Sequence, residues 1–291
     1  MTNRRSGFWG YVLGFTALLA FLYITNDNII KSQLRNMRLN PSIVNILTSE
    51  SVEVVVDART TEHFKYKAAQ RRLMLDKKPS EFHNILAEEI LCPNLFRVGR
   101  VGDGGKWICG PQFITDWDHK CVLYSFGINR DPSFETEIHN VTEGKCDIVA
   151  VDMNKYPYPT EQLASINAQY IETAISSKTT NKSITVTDLM KKMNHDHIDV
   201  LKMDIEGYEY DVADEVFGLG ICQMMVELHT KGESYKKFVD WLRNASTAGY
   251  FLVHHEINIK HMECVEVTLL HQSCFDRFGP LVPLARFLNS D

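Results

Sequence analysis

The chain has 291 residues, 44% hydrophobic and 23% charged, a balance that suits one globular domain of about 200 residues with additional segments. The net charge of −6 provides no basic footprint for a nucleic-acid partner. Seven cysteines occur without a CxxC pair, which excludes zinc-finger spacing.

Residues 1–6 form a short tail carrying Arg4 and Arg5. Gly7 to Ile24 then contains no charged residue and reaches the lower limit for crossing a bilayer, about 17 residues. It reads as an uncleaved signal anchor, with a cleaved signal peptide as the rival. Lys31, Arg35 and Arg38 follow the span and blur its orientation. Three sequons, at Asn140, Asn181 and Asn244, fit a lumenal body. Together these features predict a single-pass type II membrane protein of the endoplasmic reticulum or Golgi. In that setting cysteines pair, Cys92 with Cys109 first, and an odd count leaves at least one thiol over.

Residues 25–80 read as a stem, with a charged, helix-compatible stretch from His63 to Leu75. The remaining 81–291 form the folded domain. Glu81 to Leu91 has the apolar spacing of an amphipathic helix. Leu95 to Val101 and Lys106 to Cys109 read as two strands joined by Gly102-Asp103-Gly104-Gly105, a hairpin signal.

From Cys121 strands and helices alternate. Strands are expected at 121–126, 146–151, 170–175, 198–203 and 222–228. Helices are expected at 133–141, 161–167, 187–193 (with Thr187 as a cap), 208–217 and 235–248. Two last strands, 250–255 and 264–270, have no helix between them. This predicts an α/β, Rossmann-like fold: a seven-stranded, mostly parallel sheet ending in an antiparallel hairpin. No GxGxxG follows the first strand, so a dinucleotide layout is not indicated.

In such a sheet ligands bind at the carboxyl ends of the strands. Gly127 ends the first strand and allows close backbone approach. Asp152 ends the second, where a carboxylate can accept both ribose hydroxyls, though it also suits a turn. The stretch IDVLKMDIEGYEY (198–210) places Asp204 and Glu206 in a strand-to-helix turn. There they serve either as helix caps or as site residues.

The segments YSFGINRDPSFE (124–135), VDMN (151–154), VLKMDIEGYE (200–209) and MMVELH (224–229) resemble the motifs of FkbM-type methyltransferases. With the GDGGKW segment the fit is closer to the animal methyltransferase-like 24 group, and the resemblance covers roughly Cys92 to Cys274. SFGIN departs from the glycine-rich first motif of many class I enzymes. The resemblance implies a class I S-adenosylmethionine-dependent methyltransferase that transfers the sulfonium methyl group to an acceptor, often a hydroxyl. It places Ser125, Phe126, Gly127, Asn129, Asp152, Met153 and Asp204 at the cofactor. Candidate bases are Asp204, Glu206, Glu227 and His229, the histidine titrating nearest neutrality. No metal is assigned, although Asp204, Glu206 and Glu227 offer oxygen ligands for a divalent cation. His254, His255 and Asn258 are candidates for the acceptor side. The acceptor itself is open: a glycan, a lipid, a protein or a small molecule. Two alternatives stand beside this reading. One is a type II glycosyltransferase, for which Asp204-Ile-Glu206 and Asp152-Met-Asn154 loosely imitate a DxD pair; the other is a catalytically silent binding domain.

Overall fold

A computed structural model describes residues 56–77, 82–154, 159–230, 235–258 and 261–289. The expected anchor over 7–24 and the stem up to residue 55 lie outside the described residues. Among the described residues no helix is long and apolar enough to cross a membrane.

Seven strands build the main sheet: β4 (Cys121–Phe126), β5 (Cys146–Asp152), β6 (Gln169–Glu172), β9 (Val200–Met203), β10 (Gln223–His229), β11 (Tyr250–Ile257) and β12 (Cys264–His271). Their order is β11-β12-β10-β9-β4-β5-β6. The first five in sequence run parallel, while β12 lies antiparallel between β10 and β11. This is the expected sheet. Every residue of β4 and β9 is buried, as strands covered on both faces require.

Alternation along the strands sorts the core into two layers. Tyr124, Phe126, Leu201 and Met203 pack with helices α1 (Ala58–Leu75), α5 (Val186–Met193), α6 (Ala213–Gly218) and α7 (Tyr235–Thr247). Leu123, Val200 and Met225 pack with α3 (Ser133–Val141) and with a hairpin, β2 (Leu95–Val98) and β3 (Lys106–Cys109). Helix α4 (Thr160–Ser165) covers Ala150 through Leu163. The hairpin forms where the D-G turn predicts it, with its first strand ending at Val98. It is tied to the sheet by Cys109 N–H donating to Gln223 Oε1 at 2.7 Å, and by Thr268 Oγ1 donating to the Trp107 carbonyl at 2.6 Å. Helix α1, inside the stretch read as stem, packs on this unit through Ala68 and Leu75. Its Arg71 Nη1 donates to the carbonyls of Asn84 and Ile85 at 3.0 and 2.6 Å.

Four local expectations are corrected. The helix expected over 81–91 is only α2 (Phe82–Ile85), followed by β1 (Ile90–Leu91) paired with β13 (Val282–Pro283). Glu89 turns fully inward there and accepts N–H bonds from Leu252, Phe287 and Leu288, which an exposed helical glutamate would not. Helix α5 is capped by Thr185, whose side chain accepts the Asp188 N–H, while the Thr187 N–H goes to Glu215. The strand expected over 170–175 breaks at Thr173, whose N–H bonds to the Asp152 carbonyl; β7 (Ala174–Ile175) then pairs with β8 (Ser183–Ile184). The helix expected from Tyr208 starts at Ala213, because Glu206 and Gly207 have φ of 58° and 102° and cannot open a right-handed helix.

Three disulfides form: Cys92–Cys109, as expected, with Cys121–Cys146 and Cys222–Cys274. Cys264 is the free, buried thiol.

Candidate active site

The carboxyl ends of β4, β5, β9 and β10 open on a cavity of about 400 Å³. Gly127, Asn129, Asp152, Met153, Asp204, Glu206, Glu227 and His229 all line it, together with Asn258 from the end of β11. Ser125, Phe126, His254 and His255 do not line it. Ser125 lies beneath, its hydroxyl donating to the buried Glu135 carboxyl. Phe126 belongs to the core. His254 packs on Trp107, with ring centroids 4.9 Å apart, and pairs with Glu88.

Gly127 has φ of 76°, and a Cβ there would lie 1.7 Å from the Asp204 carbonyl oxygen. The β4 and β9 turns therefore meet backbone to backbone at a position only glycine can occupy. Asp204 N–H donates to the Phe126 carbonyl, and Lys202 Nζ donates to the Gly127 carbonyl from below. Asp152 is almost fully buried, yet its oxygens face the cavity rim. Oδ2 accepts the Asn129 N–H at 2.9 Å and Oδ1 accepts the Asn154 N–H at 2.8 Å. Each oxygen keeps a further lone pair.

On the other side stands an acidic stripe. Glu227, Glu266 and Glu256 lie directly opposite one another across β10, β12 and β11. Like charges so placed repel. The hairpin offsets them: Lys106 Nζ reaches Glu266, and lies 3.5 Å from Glu227 and 3.4 Å from Asp204. Arg97 lies 3.4 Å from Glu256, which also accepts the Trp107 indole N–H at 2.8 Å. Burial works against the Lys106 charge, but the three carboxylates hold its ammonium above the usual lysine range. Burial, with Asp204 and Glu266 beside it, pushes Glu227 up to about 8. Asp204 is half-buried, which works against its charge, but Lys106 and Lys202 hold it below the usual aspartate value.

His229, at the end of β10, joins this cluster. Its Nδ1 lies 3.0 Å from Oε1 of the fully buried Glu209, and its Nε2 lies 3.5 Å from Glu206 and 4.0 Å from Asp204. Burial opposes its charge, yet Glu209, Glu227 and Asp204 raise it to about 9. Glu209 is itself held by the Ile205 N–H at 2.9 Å. Ligand atoms of Asp204, Glu206 and His229 lie within 4.8 Å of one another, close enough to share a cation. Of the oxygen set expected from sequence, Asp204 and Glu227 are both paired with the Lys106 ammonium, while Glu206 faces His229.

Lys106, Glu209 and Glu266 were not singled out by sequence. Lys106 lies in the GDGGKW segment and Glu209 in the EGYE segment, so both sat inside recognised motifs. Glu266 had only the alternation of Val265-Glu266-Val267 to mark it.

A sequence profile for a family described as a methyltransferase domain matches residues 52–271. No curated protein sequence matches the chain. Among solved structures, the chain is similar to a precorrin-6y C5,15-methyltransferase from Geobacter metallireducens, at 13% identity and a TM-score of 0.36, covering 55% of this chain and 85% of that one. It is similar to the fibrillarin pre-rRNA processing protein of Methanococcus jannaschii, at 12% identity and a TM-score of 0.37, covering 62% and 84%. It is also similar to TrmK of M. capricolum in complex with S-adenosylhomocysteine, at 13% identity and a TM-score of 0.34, covering 56% and 67%. Because the profile matches well over half of the chain, residues 52–271, the chain belongs to the methyltransferase-domain family.

Proposed function

We propose that the protein is an S-adenosylmethionine-dependent O-methyltransferase of the FkbM-type, methyltransferase-like 24 kind, anchored by residues 7–24 and working in the secretory pathway. The observation that carries this reading is one cavity with two chemically distinct ends: Asp152 at one and the Glu209-held His229 at the other.

The Asp152 end suits a nucleoside. Each carboxylate oxygen is aligned by one backbone N–H and keeps a lone pair, which together match a ribose diol. The exposed Met153 side chain beside it offers apolar cover for a base. When bound, the cofactor supplies an electrophilic methyl group on a sulfonium. The protein's task is alignment of the acceptor and removal of its proton. Glu209 accepts from His229 Nδ1–H, leaving Nε2 to take the acceptor's hydroxyl proton. Asp204 and Glu206 stabilise the imidazolium that results. Lys106 keeps the surrounding acids from repelling one another.

The secretory assignment is supported by three disulfides and by the exposure of Asn140, Asn181 and Asn244. The acceptor belongs to glycans, lipids, proteins or small molecules of that pathway. Calorimetry with S-adenosylmethionine tests the reading: binding that disappears in Asp152→Ala supports it. Binding of a nucleotide sugar with manganese instead, or of neither ligand, overturns it. Methyl transfer from labelled cofactor to fractionated lumenal material then identifies the acceptor.

A further inference from the structure

A second cluster of ligating side chains lies at the opposite, amino-terminal ends of β4 and β9. Asp199 immediately precedes β9 and is buried. Its backbone is locked into the sheet, the N–H bonding to the Val122 carbonyl at 2.9 Å and the carbonyl accepting the Gln223 N–H at 2.9 Å. Two histidines converge on its carboxylate from separate loops. His119 Nε2 lies 3.3 Å from Oδ1, and His197 Nε2 lies 3.2 Å from Oδ2. One ligand atom from each of the three residues falls within 4.8 Å of the others.

An ordinary structural aspartate would explain part of this. Arg277 Nη1 donates to Oδ1 at 3.1 Å and the Val122 N–H to Oδ2 at 3.0 Å, so the charge is already compensated. It does not explain His197. The Nε2 atom of His197 is buried and makes no hydrogen bond among the described residues, although it sits at hydrogen-bond distance from Oδ2. Its Nδ1 contacts the Asp196 carboxylate at 2.6 Å. A carboxylate there accepts from Nδ1–H, so in the neutral ring the Nε2 lone pair points into the cluster. A carboxylate on the far nitrogen is the arrangement that orients metal-binding imidazoles. His119 is held by stacking on Trp117, with centroids 5.1 Å apart and planes 18° from parallel. The two imidazoles bracket the one carboxylate, a nitrogen beside each of its oxygens, and so gather an N, N, O donor set of the kind zinc takes.

We infer that His119, His197 and Asp199 form a divalent transition-metal site, zinc being the ion its two imidazoles and one carboxylate suit best. His119 also lines a cavity of about 400 Å³ with Trp117, Asp118 and Arg277, a route by which water can reach an ion held there. The ion clasps the loops that enter β4 and β9, at the end of the sheet remote from Asp152 and His229. It is independent of the chemistry proposed for the other cavity.

The test is zinc titration of chelator-stripped full chain by calorimetry, with cobalt(II) as an optical probe of tetrahedral ligation. Wild type is expected to take up zinc at this site, with affinity reduced at least tenfold in His119→Ala and in His197→Ala and unchanged in His229→Gln. Both substituted histidines are partly exposed, so circular dichroism and cofactor binding establish that the variants remain folded. Absence of zinc binding, binding indifferent to both substitutions, or loss of all binding in His229→Gln would each overturn the assignment.

Discussion

Oε1 of Glu209 stands 3.0 Å from Nδ1 of His229, and the same oxygen accepts the Ile205 N–H from the turn that carries Asp204 and Glu206. One buried carboxylate thus sets both the imidazole and the acidic turn facing it. Replacing His229 by glutamine is expected to lower methyl transfer by about 10²–10⁴-fold, the usual contribution of a positioned base. Cofactor affinity should remain, because Asp152 is untouched. Glu209→Gln is expected to bring the His229 pKa down from about 9 and to slow transfer by about 10–100-fold. Histidine resonances followed by NMR across pH, beside initial rates, separate this effect from simple unfolding.

The direction of that shift predicts the pH dependence. A base must be unprotonated, and His229 holds its proton up to about 9. Below that value the reactive fraction falls about tenfold per pH unit. Transfer rates should therefore climb from pH 6.5 toward pH 9, and the climb should flatten in His229→Gln. A wild-type profile that is flat over this range would remove His229 from the role of base.

Much of this site was legible in the sequence, and the parts that were not share a cause. Gly127, Asp152, Asp204 and His229 end strands whose apolar runs mark them, so their convergence follows from the parallel topology. Lys106 comes from outside the alternating pattern, on a hairpin that the sequence identified but could not dock. Its docking depends on tertiary bonds such as Cys109 to Gln223. Glu209 was hidden by a helix expected to begin at Tyr208; the left-handed Glu206 and Gly207 delay that helix and turn Glu209 inward. Ser125 and Phe126 were drawn in by their motif, but alternation along β4 sends their side chains into the sheet's covered faces.

The acidic stripe makes stability depend on pH. Glu227 has a folded-state pKa of about 8 against an ordinary 4.5, so between those values the folded protein binds the extra proton. Stability is then fully present below 4.5 and is lost as pH rises toward 8, with a limiting slope of about 1.4 kcal/mol per pH unit for this one group. His229, raised from 6.5 to about 9, acts in the same direction over its own window. Denaturant midpoints should fall between pH 5 and pH 8.5, and Glu227→Gln should reduce the slope. A midpoint that rises over this range would show that Glu227 is ionised in the folded state.

Lys106 offers the sharpest test of how the hairpin and the sheet depend on each other. Its side chain is 1% exposed, and its ammonium is shared by Asp204, Glu227 and Glu266. Lys106→Met keeps most of the volume but leaves three acids clustered without their cation. Removing one partner from a buried ionic group costs about 3–5 kcal/mol, far more than the group contributes relative to an apolar replacement. The loss should be greatest where the acids are ionised, so the variant should be least stable at alkaline pH. Adding Glu266→Gln removes the acid in closest contact with Lys106 and should restore a substantial part of the stability. Urea unfolding of the wild type, the two single variants and the double variant gives the coupling directly. Additive effects would mean that Lys106 and Glu266 stabilise the fold separately, and that the hairpin is held by Gln223 and Thr268 rather than by its charge.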